Sequence, residues 1–359
     1  MSNYIEFNDK MAFHPGYYIK EIVDDSGLTQ EEFAFRLDTT PKNLSCLVRG
    51  EQSLSIDIAT KLSRMLGTSI TYWLNLQRTY DALVAEYNSF EMLKAEKNVF
   101  KSLDYAYFRD NYDLPDLPRK IDEQIKKVRE FLQVSSLTVF QDRDRAVSFR
   151  SSAAGLKEVN IIKANMMVQI AMNEALAQKA PKYNKSKFEA MTKYALTLTC
   201  NHADFFPLLK KAFFDAGVVF VVLPNLAGSR INGATKKIGS NILLMVNDRR
   251  LYSDTFWFTL FHEIGHIING DYGITFDGED DTNEDAADRY AEDALIPAEA
   301  YHSFVSENRI NEYTIRRFAK SINRDPAIVL GRLQNDRIVS YSDALTNALR
   351  HKYKVISKH

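Results

Sequence analysis

The segment Trp257-Phe-Thr-Leu-Phe-His262-Glu263-Ile-Gly-His266-Ile-Ile constrains this chain more than any other stretch. Apolar residues recur in it at helical spacing, which makes an amphipathic helix. Two imidazoles and a carboxylate sit inside that pattern. Residues i and i+4 lie about one turn apart on one face, so His262 and His266 point the same way. Burying two such imidazoles without a shared partner is costly. The spacing instead fits two nitrogens reaching one metal ion at about 2.0–2.1 Å. Glu263, beside the first histidine, is then placed to take a proton from a water at the ion; zinc lowers the pKa of such a water to about 7.

A catalytic ion of this kind keeps three protein ligands and one open position, so a third donor is needed. Downstream runs Asp277-Gly-Glu-Asp-Asp-Thr-Asn-Glu284-Asp-Ala-Ala-Asp288-Arg-Tyr-Ala-Glu-Asp-Ala-Leu-Ile-Pro297. Residues 277–281 read as a flexible acidic loop. Glu284 opens the next helix, and Asp288 follows one turn later on the same face. Glu284 is the expected third ligand, with Asp285, Asp281 and Glu279 as alternatives. Asp288 is placed to buttress a ligand histidine from behind. The same acids also suit a helix N-terminus through its dipole. Two imidazoles and a carboxylate favour Zn²⁺, with Mn²⁺ as the alternative ion.

A length of 359 residues implies two or three domains. Residues 15–80 read as short helices. The first spans 15–25 and is closed by Gly27. The second opens at Thr29-Gln-Glu-Glu32, a capping box in which Thr29 and Glu32 satisfy each other's amides. The third starts at Thr40-Pro41 and ends at Gly50. The fourth runs from Ser55 to Leu66, with Ile56, Ala59, Leu62 and Leu66 inward. A fifth contains Trp73 and Leu76 and extends to about residue 95. Residues 102–118, with two prolines among aspartates and aromatics, read as a linker. Helical patterns follow at 119–133, 158–179, 186–198 and 203–216. Val218–Leu223 and 241–246 are continuous apolar runs and read as buried strands. The stretch between them, 225–240, reads as loop or hairpin, and the tail 312–350 as helical with a break near Pro326.

The second and third helices form a helix-turn-helix pattern, in which the second member enters the major groove. Here that member is 40–49. Thr40, Lys42, Asn43 and Ser45 are its polar positions, while Leu44, Leu47 and Val48 face the core. Gln30 is placed to touch phosphate or base, and Arg49 to contact phosphate. Asp24, Asp25, Glu31 and Glu51 weaken the local field, so affinity is expected to rely on a homodimer spanning two half-sites of operator DNA. A net charge of −1 gives no global pull toward nucleic acid, so any such surface is local.

No apolar run is long enough to span a bilayer, and residues 1–16 do not read as a secretory signal. Two cysteines, Cys46 and Cys200, make no disulfide framework, and both read as small apolar or core residues. A soluble, cytoplasmic protein with no membrane partner is the expectation. Tyr252, Tyr301, His302 and Arg249 lie near the histidine helix in sequence and are candidate donors to an oxyanion. The strand 241–246 is a candidate edge for pairing with an extended peptide.

The stretch from Phe258-Thr-Leu-Phe-His-Glu-Ile-Gly-His266 through Glu284-x-x-Ala-Asp-x-Tyr-Ala-x-x-x-Leu-Ile-Pro297 resembles the ImmA/IrrE (M78-type) metallopeptidases. It departs from their pattern in Tyr290, where phenylalanine is usual. The resemblance covers about 210–300. It implies a gluzincin-like zinc fold with ligands His262, His266 and Glu284 and with Glu263 as catalytic base. Such proteins often cleave or sense a repressor or antitoxin. The N-terminus resembles the helix-turn-helix of HigA-type antitoxins in Phe13-His-Pro-Gly16, Thr29-Gln-Glu-Glu-Phe-Ala34 and the Gly50 region. The pairing of both modules, and Asp325-Pro-Ala-Ile-Val-Leu-Gly-Arg-Leu-Gln334, are similar to long HigA-like regulators. In that subgroup the peptidase can be reduced to a ligand-binding domain; the complete His-Glu-x-x-His and Glu284 argue against such loss here.

The expected fold is α+β and predominantly helical. Residues 1–95 form a DNA-binding bundle, 96–216 a linker and helical middle region, and 217–359 the zinc domain, with a small sheet and C-terminal helices. The expected function is a DNA-binding regulator with a zinc endopeptidase that cleaves itself or a partner repressor, antitoxin or toxin. The alternative is a HigA-like antitoxin or repressor whose zinc site is structural or sensory.

Overall fold

A computed structural model describes residues 3–142, 157–249, 252–276, 282–307 and 309–355. The fold is α+β and predominantly helical, with sixteen α-helices and two small sheets among the described residues. The chain divides into two compact units, Met1–Ala95 and Glu96–His359, so 96–216 folds in the same unit as 217–359.

The first unit opens with a hairpin that the sequence reading passed over. Its strands are β1 (Tyr4–Phe7) and β2 (Lys10–Phe13), paired antiparallel. Asn8 and Asp9 turn it at φ 50° and 58°, a left-handed conformation that these two residue types tolerate. Then come α1 (Pro15–Ser26), α2 (Gln30–Arg36), α3 (Pro41–Val48), α4 (Ile56–Leu66) and α5 (Ile70–Phe100), the last running past Ala95. Ile19, Phe33, Leu37, Leu44, Leu47, Leu62 and Trp73 form the core. Ile56 was expected inward but is 71% exposed, because it lies in the first turn of α4, beside the cap Ser55. Only half of the expected capping box forms. Thr29 accepts from the Glu32 amide, but the Glu32 carboxylate turns to Arg36 Nε at 3.0 Å, a charged partner one turn on.

In the second unit α6 (Tyr105–Tyr112) replaces the linker expected at 102–118. Asp104 caps it, Tyr107 and Phe108 are buried, and both prolines fall after its end, where they break nothing. Next are α7 (Ile121–Leu132), a 3₁₀ turn (Leu137–Gln141), α8 (Glu158–Leu176), α9 (Lys185–Thr197) and α10 (Phe205–Asp215). The sheet follows with β3 (Val218–Leu223), β4 (Ile231–Ile238) and β5 (Asn241–Asn247). After them come α11 (Ser253–Asn269), β6 (Gly273–Phe276), α12 (Thr282–Leu295), α13 (Ala298–Glu307), α14 (Glu312–Ser321), α15 (Pro326–Asn335) and α16 (Leu345–Leu349).

The sheet order is β3-β5-β4-β6, with β3 and β5 parallel and the other pairs antiparallel. Strand β4 lies in the stretch expected to be loop or hairpin. Strand β5 is hydrogen-bonded on both sides, so its expected role as an edge for an added peptide is excluded. Val218, Phe220, Leu244 and Val246 join Trp257, Phe261 and Ile264 of α11 in one core. This core fixes α11 between the sheet and α12. No helix among the described residues is long and apolar enough to cross a membrane.

Candidate metal centre and nucleic-acid interface

Helix α11 crosses α12 closely. A Cβ on Gly265 would lie 3.1 Å from Ala287 Cα and 3.2 Å from Tyr290 Cβ, so even a methyl there would make α12 give by a few tenths of an ångström. Because the two helices cross so tightly, the first turn of α12 delivers Glu284 to the two imidazoles. His262 Nε2 lies 3.0 Å from His266 Nε2 and 3.0 Å from Glu284 Oε2. His266 Nε2 lies 3.4 Å from Glu284 Oε1. Donors about 2.0–2.1 Å from a tetrahedral ion sit about 3.3–3.4 Å apart, so these separations fit one ion with little adjustment.

The far sides of both rings are held by carboxylates. His262 Nδ1 is 2.6 Å from Asp288 Oδ1, and His266 Nδ1 is 3.1 Å from Asp271 Oδ2. Each carboxylate accepts Nδ1–H and so fixes the tautomer with the Nε2 lone pair turned inward. Two lone pairs and a carboxylate then converge, an arrangement that only a cation or a proton relieves. Without metal the proton does so. Burial opposes a charged His262, but the hydrogen bonds with Asp288 and Glu284 outweigh it and push the imidazolium pKa up to about 10. Burial also opposes ionised Glu284, yet the two histidines outweigh it and hold that carboxyl down at about 2.

Glu263 is fully buried beside this cluster, and neither carboxylate oxygen has a hydrogen-bond partner among the described residues. A Cβ on Gly233 of β4 would overlap it, standing 2.6 Å from Glu263 Cγ. Glycine at 233 is therefore what lets the carboxylate lie against the sheet. The sequence reading missed Gly233, and it missed Asp271, which follows α11 directly and faces back to His266. A carboxylate five residues after His266 was the available signal for Asp271.

The structure brings His262, His266, Glu284 and Asp288 together. Asp285 is exposed, and Asp281 and Glu279 lie outside the described residues. Three of the four oxyanion candidates have partners of their own. Tyr301 donates to Asp336 at 2.7 Å, Tyr252 lies under the Arg350 guanidinium, Arg249 reaches Asn232 at 3.4 Å, and His302 is exposed. Cys200, expected in the core, is exposed in the turn after α9.

In the first unit α2 and α3 form the expected helix-turn-helix, with Asp38 turning the chain at φ 50°. Gln30 and Lys42 are exposed. Thr40 is exposed too, but its hydroxyl caps α3 by accepting from the Asn43 amide at 3.1 Å. Asn43 is half-buried; its amide donates to Thr39 at 2.8 Å and its carbonyl accepts from Gln52. Arg49 bonds Ser45 and grips Glu51 through two 2.8 Å contacts. Both side chains are exposed and solvent screens the pair, so phosphate can compete for Arg49.

The fold and these two sites define a helix-turn-helix DNA-binding domain joined in one chain to an M78 peptidase-type domain with a group of residues placed so that they could hold a metal ion. The family model for the helix-turn-helix matches residues 19–73, and that for the IrrE N-terminal-like domain matches residues 220–322. An uncharacterised HTH-type transcriptional regulator, YddM of Escherichia coli (strain K12), is 38% identical over 79 residues, 21% of this chain and 84% of that protein. Virulence-associated protein I of Dichelobacter nodosus is 32% identical over 80 residues, 22% of this chain and 74% of that protein. A solved structure assigned as an antidote protein of a plasmid maintenance system from Nostoc punctiforme is 32% identical. It covers 22% of this chain and 88% of its own, at a TM-score of 0.22. The chain belongs to the helix-turn-helix transcriptional regulators, and carries the M78 domain in addition.

Proposed function

We propose that this regulator is also a zinc-dependent endopeptidase that cleaves itself or a partner repressor, antitoxin or toxin. The observation that carries the reading is the buried Glu263 carboxylate, unpartnered beside three convergent donors. A purely structural metal site has no use for it. His262, His266 and Glu284 would hold the ion, and their nitrogen and oxygen donors suit Zn²⁺. When bound, zinc polarises a peptide carbonyl and lowers the pKa of water at the site.

Glu263 takes the proton of the attacking water and passes it to the leaving amine nitrogen. Gly233 keeps that carboxylate seated, while Asp288 and Asp271 hold the imidazoles in register. In the first unit α3 reads operator DNA through Lys42 and its neighbours, working as a homodimer over two half-sites. On this reading the protein acts in the cytoplasm, where Cys46 and Cys200 stay reduced.

The test is incubation of the purified chain, loaded with Zn²⁺, with itself and with candidate repressors or toxins. Glu263→Gln is expected to slow cleavage roughly 10²–10⁴-fold with bound metal unchanged. No cleavage by either form, with metal retained in both, would remove the peptidase and leave a regulator with a structural or sensory ion.

A further inference from the structure

A second group of histidines and a carboxylate lies away from the centre just described, in the same unit. Asp325 caps α15: its Oδ1 accepts from the Ala327 amide at 2.9 Å, leaving Oδ2 for other partners. Its carboxylate is only 3% exposed. The adjacent Arg324 does not neutralise it, because that guanidinium bonds the carbonyls of Leu295, Ile322, Asn323 and Ala294. Instead two imidazoles come to the same oxygen. His202, in the turn before α10, places Nε2 2.9 Å from Asp325 Oδ2. His351, just past α16, places Nε2 3.9 Å from it. The two rings lie against each other, tilted by 36° with centroids 3.9 Å apart.

A hydrogen-bond chain from Tyr353 through His202 to Asp325 would satisfy His202 alone. It gives His351 no reason to lie against a second imidazole, and two imidazolium ions that close would repel. One cation shared by both rings and the carboxylate answers all three observations. The bracing repeats that of the first centre: His202 Nδ1 lies 2.7 Å from the Tyr353 hydroxyl, which fixes the ring with Nε2 toward Asp325. The three donor atoms lie within 4.8 Å of one another. His351 is 51% exposed, so it is free to close the remaining distance.

We propose that His202, Asp325 and His351 form a second divalent-cation site, selective for ions that take imidazole and carboxylate together, such as Zn²⁺, Ni²⁺ or Co²⁺. Its role is to fasten the strand-like segment 350–355 to the start of α11. That segment already touches it: the Ser253 amide donates to His351 O at 2.8 Å, and Arg350 pairs with Asp254 in the first turn. Tyr353 stacks on Phe205 with centroids 4.9 Å apart. An ion here ties three distant parts of the chain to the helix that carries His262 and His266.

The experiment strips the full chain with a chelator, returns Zn²⁺ alone, and counts bound ions by native mass spectrometry. The wild type is expected to hold two. A His202→Ala/His351→Ala chain is expected to hold one, and a His262→Ala/His266→Ala chain also one. Retention of the first ion shows that the 202/351 variant is folded, and the milder His351→Gln should weaken only the second ion. A wild type that binds a single ion, kept when 202 and 351 are replaced and lost when 262 and 266 are, overturns this proposal and leaves the peptidase reading intact. A single ion lost in the 202/351 variant and kept in the 262/266 variant supports this site and overturns the zinc peptidase instead.

Discussion

The two histidine–carboxylate clusters use the same side chains and are assembled in different ways. In the first, both imidazoles stand on one turn of α11, so their spacing exists as soon as that helix does. Only Glu284 must arrive, and the Gly265–Ala287 crossing brings it. In the second, a turn, a helix cap and a late segment each bring one donor, and no local structure sets the spacing. The first is almost wholly buried and braced by two carboxylates; the second is partly open and braced by one phenol. A cluster written into one helix can be rigid enough for chemistry. A cluster written into topology suits holding chain segments together.

The contrast can be tested at several strengths. The largest effect is expected from Gly233→Val, whose side chain displaces Glu263. Peptide cleavage should fall roughly 10²-fold, the scale of a misplacement of about 1 Å, while ion count stays the same; unchanged turnover would show that the carboxylate does not need its seat against β4. Next are Asp271→Asn and Asp288→Asn. Loss of an outer carboxylate partner should weaken zinc binding at the first centre by about 10–100-fold and leave ions at the second untouched. A titration with no change would place the tautomer control elsewhere.

A smaller effect comes from pH. His262 has its pKa raised to about 10, so its stabilising contribution to the metal-free chain is complete below the ordinary 6.5 and is lost as pH rises toward 10. Glu284 is held down at about 2, so its contribution is complete above 4.5 and is lost as pH falls through 2. On the proposed reading zinc would replace the proton between them. The Tm gained on adding zinc should therefore grow as pH rises above the ordinary histidine value. A gain independent of pH would contradict the shared proton. The smallest effect lies outside both clusters. Lys42→Ala should weaken operator binding modestly in gel shifts and reduce the salt slope by about 1, without altering the ion count. An unchanged slope would show that Lys42 neutralises no phosphate.

What could be read from the sequence follows the same division. The i, i+4 histidines, the caps at Thr29, Thr40 and Ser55, and the apolar runs of β3 and β5 are local signals. Each fixes a local conformation whatever surrounds it. Strand β4 was legible only as the hairpin alternative, because Asn232-Gly-Ala-Thr-Lys-Lys has loop composition and becomes a strand between β5 and β6. Helix α6 was hidden because its prolines lie just beyond its end. Asp271 left one local signal, its place five residues after His266. Gly233 matters through what approaches it in space, and nothing in its neighbouring residues reports that. The same holds for His202, Asp325 and His351, which stand 123 and 26 residues apart along the chain.

The hydrogen bond from the Ser253 amide to His351 O also bears on the order of biosynthesis. Chains fold domain by domain as they leave the ribosome, with the N-terminal part first. The core of the first unit is complete within residues 1–95, long before Arg350 and His351 have been made. A nascent chain can therefore carry a finished first unit while the start of α11 still lacks its cover, so the helix that bears His262 and His266 is completed last.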